Sequence, residues 1–129
     1  MFVLGIDPGL SRCGYGVLEQ SGRKAEAVAI GVIRTPAKAP LPQRLASIHQ
    51  ELSGLVEEHR PDVVAIERVF FQMNARTAMG VAQVSGLAMA IGNIAGAEVF
   101  EYTPNQVKEA VAGWGSANKE QMQRMVQSL

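Results

Sequence analysis

The sequence predicts an α/β fold, a mixed five-stranded sheet flanked by helices. Three observations lead there. The first 34 residues read as three apolar runs separated by short polar or glycine-containing breaks. Near residue 41 the apolar period changes from that of a strand to that of a helix. Helical stretches then alternate with short apolar runs at 62–67 and 98–102, the pattern of strands joined by crossover helices.

Residues 2–6 (FVLGI) read as a fully buried strand and 13–19 (CGYGVLE) as a second. The link between them is short, so they should pair antiparallel. "SGRK" at 21–24 is a polar turn, and "AEAVAIGVIR" at 25–34 is a third strand. The three prolines of "TPAKAPLP" (35–42) break regular structure. Leu45, Ile48, Leu52, Leu55 and Val56 share one helical face, which predicts an amphipathic helix over 41–59, stopped by Pro61. "DVVAIE" at 62–67 is a fourth strand, parallel to one already in the sheet through a right-handed crossover.

A long helix follows at about 75–95. Its segment Thr77–Ala97 carries no charge over 21 residues, which reaches the ~20 residues of a membrane span. It is rich in alanine and glycine and contains Gln83, Ser85 and Asn93, so the expectation is a soluble helix buried on more than one side and no membrane association. "EVFEY" at 98–102 is the fifth strand. Thr103, Pro104 and Gln106 carry the signature of a helix start. That helix ends near Gly113, "GWGSANK" turns, and a last helix runs from about 117. Met122, Met125, Val126 and Leu129 keep helical spacing to the final residue.

A chain of 129 residues, 47% apolar and 19% charged, fits a single globular domain over 1–129. Twelve basic residues balance twelve acidic ones, so no global positive charge advertises a nucleic-acid partner. The single cysteine, Cys13, excludes an internal disulfide and a paired-cysteine zinc motif. With no signal-peptide pattern at the N-terminus, a cytoplasmic location is expected. His49 is expected on the polar flank of the first helix, and His59 near its C-terminus.

Two carboxylates carry the chemistry. Asp7 ends the first strand and Glu67 the fourth. A buried unpaired carboxylate is costly. On neighbouring parallel strands the two would point into one crevice, where ligands of α/β sheets collect. Like charges so placed favour a divalent cation between them, and hard oxygen donors select Mg²⁺, with Mn²⁺ as a substitute.

The stretches "GIDPGLSRCGYGVLE", "PDVVAIERVFFQMN", "TPNQVKEAV" and "GSANKEQMQRMV" resemble the RuvC family of Holliday junction resolvases, in family order and across essentially the whole chain. The resemblance implies a ribonuclease-H-like fold and a homodimer that nicks four-way junction DNA symmetrically with Mg²⁺. It implies Asp7 and Glu67 as metal ligands and Phe70 as an aromatic set against unpaired bases, with Phe71 beside it. It implies Lys108 and Lys119 near the scissile phosphate, Lys119 in a catalytic role. Arg76, at the start of the long helix, is a further candidate DNA contact. The same resemblance implies a partnership with the RuvAB branch-migration complex, a dimer interface on the long helix, and two more acidic or histidine ligands further along. No aspartate follows Asp62. The expectation is therefore a domain that lacks its C-terminal helix and cleaves poorly alone.

If the chain binds DNA despite its zero net charge, lysine and arginine should cluster on the face that bears Asp7. Other readings are a ribonuclease-H-like enzyme acting on RNA, a non-catalytic junction-binding fragment, and an actin-like or sugar-kinase ATPase. The last needs a second phosphate loop and a longer, two-domain chain. Trp114 is open between loop anchor and DNA contact.

Overall fold

The computed structural model describes residues 1–68 and 75–103. They form β1 (Phe2–Asp7), β2 (Arg12–Ser21), β3 (Lys24–Arg34), α1 (Leu41–His59), β4 (Val63–Glu67), α2 (Ala75–Ile94) and β5 (Glu98–Tyr102). One five-stranded sheet runs in the order β3-β2-β1-β4-β5. The first three strands are antiparallel, and β4 and β5 join β1 in parallel. This is the mixed sheet the sequence predicts, with each of these seven elements within a residue or two of its expected bounds; the two helices expected after Thr103 lie outside the described residues.

The strand turn is tighter than "SGRK" suggests. Ser21 and Lys24 still pair across the ladder, leaving Gly22 and Arg23 as the loop. Gly22 takes φ of +62°, which glycine adopts without a steric penalty. At the far end of α1, Arg60 adopts the left-handed conformation and its N–H donates to the Val56 carbonyl at 2.8 Å. Pro61 then prevents continuation.

Both helices pack on one face of the sheet. Leu4, Ile6, Cys13, Val17, Val64 and Ile66 project from that face onto Ile48, Leu52 and Val56 of α1 and onto Val84, Ala88 and Ile91 of α2. Each such aliphatic side chain contributes ~1.5–3 kcal/mol by leaving water. His49 is exposed, and His59 lies in the last turn of α1, 3.7 Å from Glu58.

Helix α2 departs from expectation. It is not buried on more than one side: a single row, Gly80, Val84, Ala88, Ile91 and Gly92, is buried. The opposite side is open, with Met79 66% exposed, and Ile94 in the last turn is 84% exposed. Two of its glycines permit close approach. A Cβ at Gly92 would lie 3.0 Å from Val99 and 3.1 Å from Val64, and one at Gly80 3.1 Å from Leu10. The helix is long and apolar enough to cross a bilayer by length and composition, but its buried row is spent on the sheet.

Candidate active site

The register decides where the two carboxylates meet. In the parallel β1–β4 pair Ile6 lies beside Ile66. Asp7 and Glu67 follow by one position, so both leave the helix-covered face and project from the opposite one. Gly14 pairs with Asp7 on one side, and Tyr102 pairs with Glu67 on the other. The row Tyr102–Glu67–Asp7–Gly14–Val32 thus crosses the sheet at the C-terminal ends of its parallel strands.

Asp7 and Glu67 are half-buried and joined by a side-chain hydrogen bond. Glu67 is pushed up to about 7, first by burial, then by the charge of Asp7 and by their hydrogen bond. Asp7 is raised by burial, partly offset by the hydrogen bond it accepts from Glu67. Burial and mutual repulsion thus hold both carboxyls above the usual carboxylate range, Glu67 close to neutrality. Arg68 does not neutralise Glu67. It turns to Glu101, Nε to Oε2 at 3.4 Å, while its backbone N–H donates to the Tyr102 carbonyl at 2.7 Å.

Two neighbours feel the same charge. The Tyr102 phenol is raised by burial, then by Glu67 and Asp7. The buried Cys13 thiol is pushed up to about 11, where burial outweighs a hydrogen bond to the Gly9 backbone and Asp7 adds to the rise. Cys13 is thus an unreactive core residue, as its strand position suggests. Sequence reading missed Tyr102. Its signal was available: it ends a parallel strand just as Glu67 does.

The loop after Asp7 is fixed from behind. Thr35, buried at the end of β3, donates from its hydroxyl to the Leu10 carbonyl at 2.6 Å. Arg44 on α1 donates to the Thr35 and Ser11 hydroxyls, both at 2.8 Å. A larger cavity of about 610 Å³ lies between the C-terminal ends of α1 and α2, lined by His49, Arg60 and Asp62 among others. It sits at the opposite end of β4 from Glu67 and holds none of the paired carboxylates.

The donor set fits a hard divalent cation. Two half-buried carboxyl groups lie side by side, and a cation between them would offset both the cost of burying their charge and their mutual repulsion. Among the described residues no third histidine, cysteine or carboxylate joins them. Phe70, Phe71, Lys108, Lys119 and Trp114 lie outside the described residues. Arg76 falls in the first turn of α2, and its side chain lies outside them too.

Comparison with known proteins gives this geometry a family. The family model described as crossover junction endodeoxyribonuclease RuvC matches residues 3–129. The chain belongs to the RuvC family. A RuvC from Salinispora arenicola is 54% identical over 130 aligned positions, covering all of this chain and 74% of that protein. One from Natranaerobius thermophilus is 46% identical over 129 residues, 80% of its length. Among solved structures, Thermus thermophilus RuvC in complex with Holliday junction substrate superposes with a TM-score of 0.79 at 34% identity, covering 88% of this chain and 71% of that one. The yeast mitochondrial resolvase Ydc2, with a TM-score of 0.64 at 17% identity, shares the fold. RuvC membership removes the ATPase reading and fits the resolvase fold expected from the motifs.

Proposed function

We propose that this chain is a structure-selective endonuclease that resolves four-way DNA junctions by paired nicks during recombination and repair. The observation that carries the reading is the Asp7–Glu67 pair on adjacent parallel strand ends, with no neutralising cation beside it among the described residues. Family membership and the junction-bound Thermus relative support the choice of substrate.

Asp7 and Glu67 would hold Mg²⁺, or Mn²⁺ in its place, in their ionised forms. When bound, the cation supplies Lewis acidity and charge neutralisation at the phosphodiester. Water adds to phosphorus, and the 3′-oxygen leaves, giving 5′-phosphate and 3′-hydroxyl ends. Half-buried Tyr102 backs Glu67 from the adjacent strand and limits solvent on that side of the pair. Lys119 and Lys108 bind the phosphate and its developing charge. Phe70 and Phe71 meet unpaired bases at the crossover, with Arg76 on the backbone. The enzyme works in the cytoplasm as a homodimer, one active site per nick, alongside a RuvAB-type branch-migration complex. The open side of α2, with Met79 exposed, supports a protein contact there.

A gel assay of a synthetic four-way junction against a matched linear duplex tests the reading. Selective junction binding is expected from both the unaltered chain and Asp7→Asn; Mg²⁺-dependent nicking, expected to be weak from this chain alone, is lost in the variant. Equal binding to the two DNAs refutes it. Selective binding of a structured RNA instead would shift the substrate and leave the metal site standing.

A further inference from the structure

The strand register creates a second feature on the carboxylate face. Arg12 and Arg34 are direct cross-strand partners in the β2–β3 ladder. They lie two positions beyond the Gly14–Val32 pair, and Gly14 is the partner of Asp7. Alternation therefore puts both guanidinium side chains on the Asp7 face, at the same end of the sheet. From strand rise and spacing, the Arg12 backbone is about 8 Å from that of Asp7, with Arg34 one strand farther. An arginine side chain spans that distance.

Like charges directly opposite one another destabilise a ladder. Both arginines are exposed, and neither has an ion-pair partner among the described residues. Yet the strand ends that carry them are braced. The Thr35 N–H donates to the Ser11 carbonyl at 3.2 Å, closing the ladder just past the arginine pair. Arg44 then joins the side chains of the same two residues, Ser11 and Thr35. Its partners there are neutral hydroxyls, so the brace fixes the strand ends without compensating the charge of Arg12 or Arg34. A ladder end that holds two unpaired guanidiniums side by side in a fixed frame is suited to a bidentate oxyanion.

We propose that Arg12 and Arg34 form a phosphate clamp that grips the nucleic-acid backbone one step from the scissile phosphate. Arg44 is a positioning residue that acts through Ser11 and Thr35. This rests on the nuclease reading above and places two basic residues, Arg12 and Arg34, on the carboxylate face of a chain with zero net charge.

The test measures binding of the 129-residue chain to junction and duplex DNA over a range of salt, for the unaltered chain, R12Q/R34Q and R12K/R34K, with thermal melting of each. The glutamine variant is expected to bind the junction about tenfold more weakly, with the slope of log affinity against log salt reduced by about 1–2. Duplex binding should weaken by a similar factor, because phosphate contacts carry no sequence information. The lysine variant should keep the slope, and neither melting temperature should fall. Unchanged affinity and slope in R12Q/R34Q, with the unaltered chain still junction-selective, overturns the clamp alone. Weakening shared by the lysine variant, with a lowered melting temperature, assigns the arginines a structural role and also overturns it. No junction preference in the unaltered chain removes the nuclease reading and the clamp with it.

Discussion

The raised Glu67 carboxyl makes a stability measurement a direct probe of the active site. The perturbation is Glu67→Gln, which keeps the side-chain shape and a hydrogen bond to Asp7 but removes the second charge. Glu67 rises from its usual 4.5 to about 7 in the folded chain. Folding therefore favours the protonated form. Its penalty is absent below about pH 4.5, grows as pH rises, and is complete above about pH 7. Taken at face value, the rise corresponds to roughly 3 kcal/mol at ~1.4 kcal/mol per pH unit. Glu67 is only half-buried, so solvent screening reduces this to about 1–2 kcal/mol. At pH 8 in chelator, Glu67→Gln should exceed the unaltered chain in stability by that amount, a melting shift of about 3–8 °C. At pH 4.5 the two should coincide. Chemical denaturation of both proteins across this range is the assay. A Gln variant less stable at pH 8, or an unaltered chain with flat stability between pH 5 and 8, refutes the argument from the raised Glu67 carboxyl. The same substitution should abolish Mg²⁺-dependent nicking, so stability and activity move in opposite directions.

Three further outcomes follow from particular contacts. Saturating Mg²⁺ should raise the melting temperature at pH 8, by ~2.7 kcal/mol at one hundred times its dissociation constant, and Asp7→Asn should remove most of that gain; calorimetry with and without the ion checks it. Gly9→Ala would drive its new Cβ into the backbone carbonyl of Arg12, where neither side gives way cheaply, so a loss of about 1–3 kcal/mol is expected, with nicking reduced further because the loop begins at Asp7. Leu52→Ala, at 1% exposure between α1 and the sheet, should cost about 2–5 kcal/mol in urea denaturation while sparing the titration of Glu67.

The elements were legible because their periods were clean. Leu45, Ile48, Leu52 and Val56 have only one helical reading, and the helix runs Leu41–His59 as expected. The site was half legible. Asp7 and Glu67 stand out as charges ending apolar runs, but their hydrogen bond depends on β4 choosing β1 as its neighbour, and only the register records that choice. Tyr102 looked like an ordinary strand aromatic, because nothing local in "EVFEY" says that it pairs with Glu67. Arg12 and Arg34 were invisible as a pair: they are 22 residues apart, and their shared face follows from the β2–β3 register. Helix α2 was misread on sidedness, since alanines and glycines on every side give apolarity without direction. Close approach to Val64 and Val99, made through Gly92, picked the buried side.

The parallel pairing of β1 with β4 has a consequence for synthesis. Asp7 leaves the ribosome well before Glu67, and the β1–β2–β3 meander can form before β4 exists. Until α1 crosses over and β4 docks, a nascent chain holds a lone carboxylate and no bidentate cation site. Such long-range pairing is the slow part of assembly. The two carboxylates thus come together late, as a product of completed topology.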